Sequence, residues 1–257
     1  MMIHGAFCGG WAFDEFRKPF EARGHRVLTP TLRHHDCGGD PPAALAQTSI
    51  LDFASDLEAE IASLPETPIL VGHSMGGLLA QMLAARGRAR ACVLLAPCAP
   101  WGVLPSTMFE MASAQAMFLA GDFWAKIIYP SYDVAAANAL DRMPREQRKQ
   151  VFARFVPESG RATFEIMQWG MDPQRAGAVD ARSVKCPILC LAGAQDRINA
   201  PSTVRRIAQR YREFAYYEEI KDRSHWLIGE PGWEDIAERS IEWLDDVLAE
   251  EAASAAR

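Results

Sequence analysis

The sequence lacks a run of apolar residues long enough to cross a membrane. Its 257 residues contain no apolar segment that approaches the roughly 20 residues needed to span a bilayer. The first residues, from Met1 to Gly5, also lack the basic and apolar segments of a secretory signal peptide. We therefore expect a soluble protein of the cytoplasm with no membrane span.

Concentrated positive charge is also missing. The formal net charge is −6, and the lysines and arginines form no basic stripe. A nucleic-acid partner would require such a stripe to neutralise phosphates, so we expect no nucleic acid among the partners.

Clustered metal ligands are scarce. The cysteines are scattered, several of them inside apolar segments, so we expect buried reduced thiols rather than disulfides. They are Cys8, Cys37, Cys92, Cys98, Cys186 and Cys190. His34, His35, Asp36 and Cys37 lie close together, but no second cluster supplies further ligands at metal-site spacing. The sequence predicts neither a metal nor another cofactor.

The composition is that of an ordinary globular protein, with 49% apolar and 23% charged residues. Segments predicted as strands, several of them continuous apolar runs, alternate with segments predicted as helices. The strands are 25–30, 68–71, 91–96, 186–193 and 214–220, and the helices are 12–23, 49–64, 78–85, 201–211 and 231–248. Continuous apolar strands separated by helices are typical of a parallel sheet covered on both faces. We predict an α/β fold with a mostly parallel, doubly wound sheet.

The alternation stops between residues 100 and 182. This stretch is rich in methionine and aromatic residues in helical segments that prolines interrupt. We predict a core formed by residues 1–99 and 183–250, a helical lid formed by 100–182 over the strand ends, and a flexible tail at 251–257. The methionine and aromatic excess suits an adaptable apolar pocket.

The motif Gly72-x-Ser74-x-Gly76 lies between a predicted strand and a predicted helix. This order is the context of a nucleophile elbow, a strained turn at which only small residues fit beside the serine. The turn would hold the Ser74 hydroxyl free of the sheet, at the positive N-terminus of the next helix. We predict Ser74 as the nucleophile.

A serine hydroxyl needs a base to take its proton, and the base needs a carboxylate to fix its tautomer. Asp196 and His225 each follow a predicted strand, as Ser74 does, so all three should meet at one edge of a parallel sheet. Asp222 is the main rival acid, but it shares the loop of His225, from which reaching Nδ1 is awkward. Asp122 and Asp133 are remote alternatives.

The glycine-rich loop from His4 to Trp11 would present backbone N–H groups to a developing oxyanion. With Gly72-His73-Ser74-Met75-Gly76-Gly77, Gly193-Ala194-Gln195-Asp196 and Ser224-His225-Trp226, this loop resembles the α/β-hydrolase superfamily, especially small carboxylesterases and hydroxynitrile-lyase-like members. The resemblance implies that the N–H groups of Ala6 and Met75 form the oxyanion hole.

Two features depart from that resemblance. Most members carry strands before the His-Gly loop, so either this is a minimal version of the fold or the sequence begins inside it. Ser224 also stands where glycine usually precedes the catalytic histidine. The change alters the loop and adds a hydroxyl near His225, without removing the base.

The residues predict a serine hydrolase, specifically a carboxylesterase for small to medium apolar acyl esters. A lactonase, a C–C bond hydrolase, an acyltransferase and a non-catalytic ligand-binding member remain alternatives. Ser74 argues against dehalogenases and epoxide hydrolases, which use aspartate, and a hydroxynitrile lyase would need a lysine such as Lys126 or Lys185. The predicted pocket residues are Phe7, His73, Trp101, Phe123, Trp124 and Trp226.

Overall fold

The computed structural model describes residues 1–119 and 121–255. The strands in these residues are β1 (Met2–Ile3), β2 (Leu70–His73), β3 (Cys92–Leu95), β4 (Ile127–Ile128), β5 (Glu158–Ser159), β6 (Ile188–Gly193) and β7 (Ala215–Ile220). The α-helices are α1 (Arg17–Ala22), α2 (Ile50–Ala62), α3 (Met75–Ala85), α4 (Met108–Leu119), α5 (Tyr132–Asn138), α6 (Arg145–Phe152), α7 (Gly160–Met167), α8 (Pro201–Arg210) and α9 (Trp233–Ala255). None of the described helices combines the length and apolar character that a membrane span requires.

The central sheet has the order β1-β2-β3-β6-β7, and every neighbouring pair is parallel. The register places His73 opposite Leu95, and Leu95 opposite Leu191. The carboxyl ends of these strands therefore share one edge of the sheet. The predicted α/β class with a parallel sheet is confirmed.

Both faces of the sheet are covered. On one face Leu94 packs in a buried cluster with side chains of α2, α3 and α8. On the other face the preceding residue, Val93, packs with side chains of α1 and α9. Adjacent strand residues point to opposite faces, which explains why the strand sequence is apolar throughout rather than alternating.

The predicted strand at 25–30 is wrong. The segment runs beside β1, where the N–H of Met2 donates to the carbonyl of Leu28 over 2.7 Å, but it is not assigned as a strand. In the described residues this is the one backbone hydrogen bond between the segment and β1, which is too few for a ladder. The segment also ends at Pro30, which has no N–H to donate.

The predicted helix at 12–23 is divided. A short 3₁₀ helix covers Gly10–Phe13, and α1 begins only at Arg17. Pro19 explains the late start, because proline is tolerated in a first helical turn but disrupts a helix interior.

The C-terminal helix extends beyond its predicted end. It continues to Ala255, into the segment 251–257 predicted as a flexible tail, and Ala256 and Arg257 lie outside the described residues. Arg90 donates to the carboxylate of Glu251 over 2.7 Å, which ties this part of the helix to the body of the protein.

The insertion between β3 and β6 contains α4 to α7 and a two-stranded antiparallel sheet, β4-β5, which the sequence did not reveal. Carboxylates attach it to the core. Glu165 of α7 accepts hydrogen bonds from the hydroxyl of Ser49 and the N–H of Ile50, at the start of α2. Glu110 of α4 accepts from the N–H of Ala200 and the hydroxyl of Thr203, at the start of α8.

A Gly76→Ala variant should be strongly destabilised. A Cβ at this position would overlap the backbone carbonyls of Ile3 and His4, so the elbow and the end of β1 would have to separate. We expect the free energy of unfolding, measured in urea, to fall by at least about 2 kcal/mol. The control is Gly39→Ala, because no atom lies within 4 Å of its added Cβ. Equal stability of the two variants would contradict this account of the packing.

Candidate active site

Ser74 occupies a strained turn at the carboxyl end of β2. Its backbone angles are φ 54° and ψ −117°, a region that costs energy for a residue with a side chain. A Cβ at Gly72 would overlap the carbonyl of Gly76, so the turn closes only with glycine at Gly72. The side chain of Ser74 consequently stands at the N-terminus of α3, where the helix dipole is positive.

Ser74, His225 and Asp196 form a continuous hydrogen-bonded chain. The His225 Nε2 lies 3.1 Å from the Ser74 Oγ, and the His225 Nδ1 lies 2.8 Å from the Asp196 Oδ2. An ionised carboxylate only accepts hydrogen bonds, so Asp196 fixes the proton on Nδ1 and leaves the Nε2 lone pair facing the hydroxyl. All three residues are buried.

The loops that carry Asp196 and His225 are joined directly. The N–H of Gln195 donates to the carbonyl of Arg223 over 2.8 Å, and a Cβ at Gly193 would overlap the carbonyl of Ser224. The other carboxylate oxygen of Asp196 accepts from the N–H groups of Ile198, at 2.8 Å, and Asn199. The Asp196 carboxylate is therefore held in place on both of its oxygens.

Asp222 does not take the place of Asp196. Its backbone has a positive φ of 57°, and 80% of its side chain is exposed. Its nearest cation is the guanidinium of Arg142, 3.9 Å away. The geometry thus separates the two aspartates that the sequence left as rivals.

The His-Gly loop packs directly on the elbow. A Cβ at Gly5 would lie 3.0 Å from the Cβ of Ser74, so the loop backbone borders the serine. In the described part of the chain, neither the N–H of Ala6 nor that of Met75 donates to a protein acceptor. Both donors are available next to Ser74, as an oxyanion hole requires.

Two buried histidines support these loops in the neutral form. The His4 Nε2 accepts from the N–H of Leu32 over 3.0 Å, and the His73 Nε2 donates to the carbonyl of His225 over 2.9 Å. Burial lowers the pKa of each histidine to about 3. His73 therefore connects the backbone of the His225 loop to the elbow.

Two of the predicted pocket residues lie in packed interior positions. His73 is only 2% exposed, and Trp226 is 4% exposed, with its ring against Trp11, Phe155 and His73. These contacts show that both side chains support the loop of His225, and their contact with substrate stays a prediction.

The other predicted pocket residues occupy different surroundings. Phe7 is half-buried beside the proposed oxyanion donor Ala6 and has a positive φ of 62°. The Trp101 ring lies 5.4 Å from that of Trp169. Phe123 and Trp124 pack with each other and with Phe164 inside the insertion. Substrate contact by these four residues stays a prediction.

Sequence reasoning missed three neighbours of this site. The Cys98 Sγ lies 3.7 Å from the Ser74 Oγ, and the Asn199 side chain donates to the carbonyl of Ala96 over 2.8 Å. Glu230 accepts from the N–H of Ser224 over 2.9 Å, and burial raises its pKa to about 7. Cys98 and Asn199 both follow ends of central strands, a positional signal that was available in the sequence.

Known proteins match most of this chain. A model of the alpha/beta hydrolase family matches residues 1–239. A carbendazim-hydrolysing esterase of Nocardioides sp. strain SG-4G is 30% identical over 250 residues, covering 92% of this chain and 88% of that esterase.

Solved structures show the same fold. A pyrethroid hydrolase from Sphingobium faniae JZ-2 matches with a TM-score of 0.69 and 20% identity, over 95% of this chain and 96% of that one. A monoacylglycerol lipase of Paleococcus ferrophilus gives a TM-score of 0.67 and 21% identity, over 95% and 92%. The chain therefore belongs to the alpha/beta hydrolase family. Its similarity to esterases supports a hydrolase function.

A His73→Phe variant should lose stability because the carbonyl of His225 would lose the His73 ring as a donor and keep only the N–H of Leu227, 2.9 Å away. We expect the free energy of unfolding to fall by about 0.5–1.5 kcal/mol, the usual net contribution of one hydrogen bond. The control is His25→Phe, since His25 is half-buried and its ring lies against Phe20. Urea unfolding followed by circular dichroism measures both, and an unchanged His73→Phe variant would refute the supporting role.

Proposed function

We propose that this protein is a serine hydrolase that cleaves carboxylic esters through a Ser74-His225-Asp196 triad. The observation that carries the proposal is the hydrogen-bonded chain of these residues, with 3.1 Å from base to nucleophile and 2.8 Å from base to acid. These distances are within the range required for proton transfer. The non-catalytic alternative offers no reason for a buried hydroxyl, imidazole and carboxylate to be aligned in this order.

In the first half-reaction, the Ser74 Oγ attacks the ester carbonyl carbon while the His225 Nε2 takes the hydroxyl proton. The carbonyl oxygen becomes an oxyanion, which accepts hydrogen bonds from the N–H groups of Ala6 and Met75. The imidazolium of His225, stabilised by Asp196, then gives its proton to the leaving alcohol as the C–O bond breaks. The product is an acyl-enzyme on Ser74.

In the second half-reaction, water attacks the acyl-enzyme while the His225 Nε2 takes one of its protons. The second tetrahedral oxyanion binds to the same two N–H groups. When it collapses, His225 returns the proton to the Ser74 oxygen and the carboxylic acid leaves. Neither half-reaction requires a cofactor or a metal.

Small to medium apolar acyl esters are the proposed substrates. The insertion at 100–182, proposed as the lid, contains an aromatic cluster, which suits apolar acyl groups. Its members are Phe118, Phe123, Trp124 and Phe164. The relative that is 30% identical is named as an esterase that hydrolyses carbendazim. Carbendazim is therefore a further substrate to test. Lactone hydrolysis, C–C bond hydrolysis and acyl transfer to an alcohol would begin with the same steps at Ser74. A series of substrates is therefore needed to distinguish these reactions.

The Ser74→Ala variant should lose ester hydrolysis by about 10⁴-fold or more, since it removes the nucleophile. The measurement is release of p-nitrophenol from esters of increasing acyl length, with labelling of Ser74 by an active-site phosphonate in parallel. The control is Ser63→Ala, an exposed serine whose hydroxyl donates to the carbonyl of Glu60. Near-full activity of Ser74→Ala would remove Ser74 from the mechanism, and strong labelling without ester hydrolysis would favour lactones or C–C bonds.

The Asp196→Asn variant should lower kcat by about 10³- to 10⁴-fold, because an amide no longer fixes the productive tautomer of His225. The matched control is Asp222→Asn, which changes the exposed rival acid on the loop of His225. We expect this control to keep kcat within about 3-fold of the parent. The measurement is steady-state kinetics of both variants on one p-nitrophenyl ester. A larger loss of kcat in Asp222→Asn than in Asp196→Asn would assign the catalytic acid to Asp222.

A further inference from the structure

Both backbone polar groups of Phe7 are bound by the insertion. The N–H of Phe7 donates to the Glu158 Oε2 over 3.2 Å, and its carbonyl accepts from the N–H of Val156 over 2.9 Å. Phe7 has a positive φ of 62°, which a side chain makes costly. The strained residue next to Ala6 is therefore fixed from outside its own loop.

Glu158 is a buried carboxylate with no exposed side-chain surface. Besides Phe7, its donors are the N–H of Ser159 at 2.7 Å and the ring of His35, whose Nε2 lies 2.9 Å from the Oε2. An isolated buried carboxylate is very costly, so its position depends on these partners. Among these partners, one with a positive charge would offset most of the cost of burying the Glu158 carboxylate.

The contacts of His35 show that this partner is charged. Its Nε2 faces the carboxylate of Glu158, and its Nδ1 lies 3.0 Å from the carbonyl of Arg33. Glu158 accepts from the N–H groups of Phe7 and Ser159, which favours its ionised form. An ionised carboxylate, like the carbonyl, only accepts hydrogen bonds, so both ring nitrogens of His35 must carry protons. A neutral tautomer would point a lone pair at one of the two acceptors. His35 is thus an imidazolium and pairs with Glu158 inside the protein.

The surrounding groups agree with this charge assignment. Burial alone would lower the pKa of His35, but the Glu158 carboxylate and the hydrogen bonds leave it above the ordinary value. Burial alone would raise the pKa of Glu158, but His35 and the N–H donors leave it below the ordinary value. The other titratable neighbours, His4 and Cys8, are buried, and burial keeps both neutral.

We propose that the Glu158–His35 ion pair is a positioning device for the oxyanion loop, with Glu158 as the residue that sets the direction of the Ala6 N–H. Ala6 lies between Gly5, which packs against Ser74, and Phe7, which Glu158 holds. The inference rests on the proposed function, since it requires Ala6 to donate to the oxyanion. It makes a side chain of the insertion part of the support for transition-state binding.

The pair also predicts an alkaline limit. His35 has a raised pKa in the folded protein, so its contribution is present at lower pH and is lost as the pH rises through that raised value. Loss of the Nε2 or Nδ1 proton would turn an attraction into a contact between two acceptors. The oxyanion loop would then loosen, and kcat would fall.

The test is Glu158→Gln, which keeps the shape of the side chain and removes its charge. We expect kcat on a p-nitrophenyl ester to fall by about 10- to 100-fold, less than the 10²- to 10³-fold typical of deleting an oxyanion donor outright. KM should stay within about 3-fold, because the Ala6 N–H acts on the transition state rather than on the bound ester. The alkaline limb of the kcat–pH profile should disappear.

The matched control is Glu165→Gln. Glu165 is also a buried carboxylate of the insertion, but it binds the start of α2 and not the oxyanion loop. We expect this control to lose stability while keeping both kcat and its alkaline limb. A kcat for Glu158→Gln equal to that of the parent, or an equal loss in the control, would overturn the inference.

A second measurement does not depend on either variant folding. The ¹⁵N chemical shifts of the His35 ring in the parent protein at pH 7 should be those of an imidazolium, and neutral shifts would overturn the inference. Failure of the proposed function has a different signature, namely a parent protein with no ester hydrolysis and no phosphonate labelling of Ser74. An active parent with a fully active Glu158→Gln variant would reject only the positioning role.

Discussion

The close approach of backbone segments at the carboxyl edge of the sheet is the constraint on which the rest of the site depends. Gly76 packs against the carbonyls of Ile3 and His4, and Gly193 packs against those of Arg223 and Ser224. At each point a single added carbon would push two segments apart. The elbow, the His-Gly loop and the loop of His225 are therefore positioned by contacts between main chains, independently of the proposed catalytic side chains.

Much of this arrangement could be predicted because it is local. The turn around Ser74 follows from glycines two residues to either side, and the strand that precedes Asp196 is apolar throughout. The meeting of these residues with His225 at one edge follows from the parallel sheet. The strand expected at 25–30 was wrong because strand formation depends on hydrogen bonds to a partner, and the sequence of that segment does not show how few it forms with β1.

The contacts of the insertion could not be predicted, because they join residues far apart in the chain. His35 lies in a loop whose sequence resembles an incomplete metal site, and its partner Glu158 is 123 positions away. Local periodicity carries no signal for such a pair. For the same reason, no local pattern indicates that Glu165 and Glu110 each accept hydrogen bonds at the start of a core helix.

The distribution of the site along the chain has a consequence for synthesis. Asp196 and His225 are 29 positions apart and lie on loops that follow neighbouring strands, whereas Ser74 precedes His225 by 151 positions. A nascent chain on the ribosome therefore completes the elbow long before it contains a base to activate the serine. Under the proposed mechanism, a fragment released early would carry an inert hydroxyl, and hydrolysis would begin only after the last strand had joined the sheet.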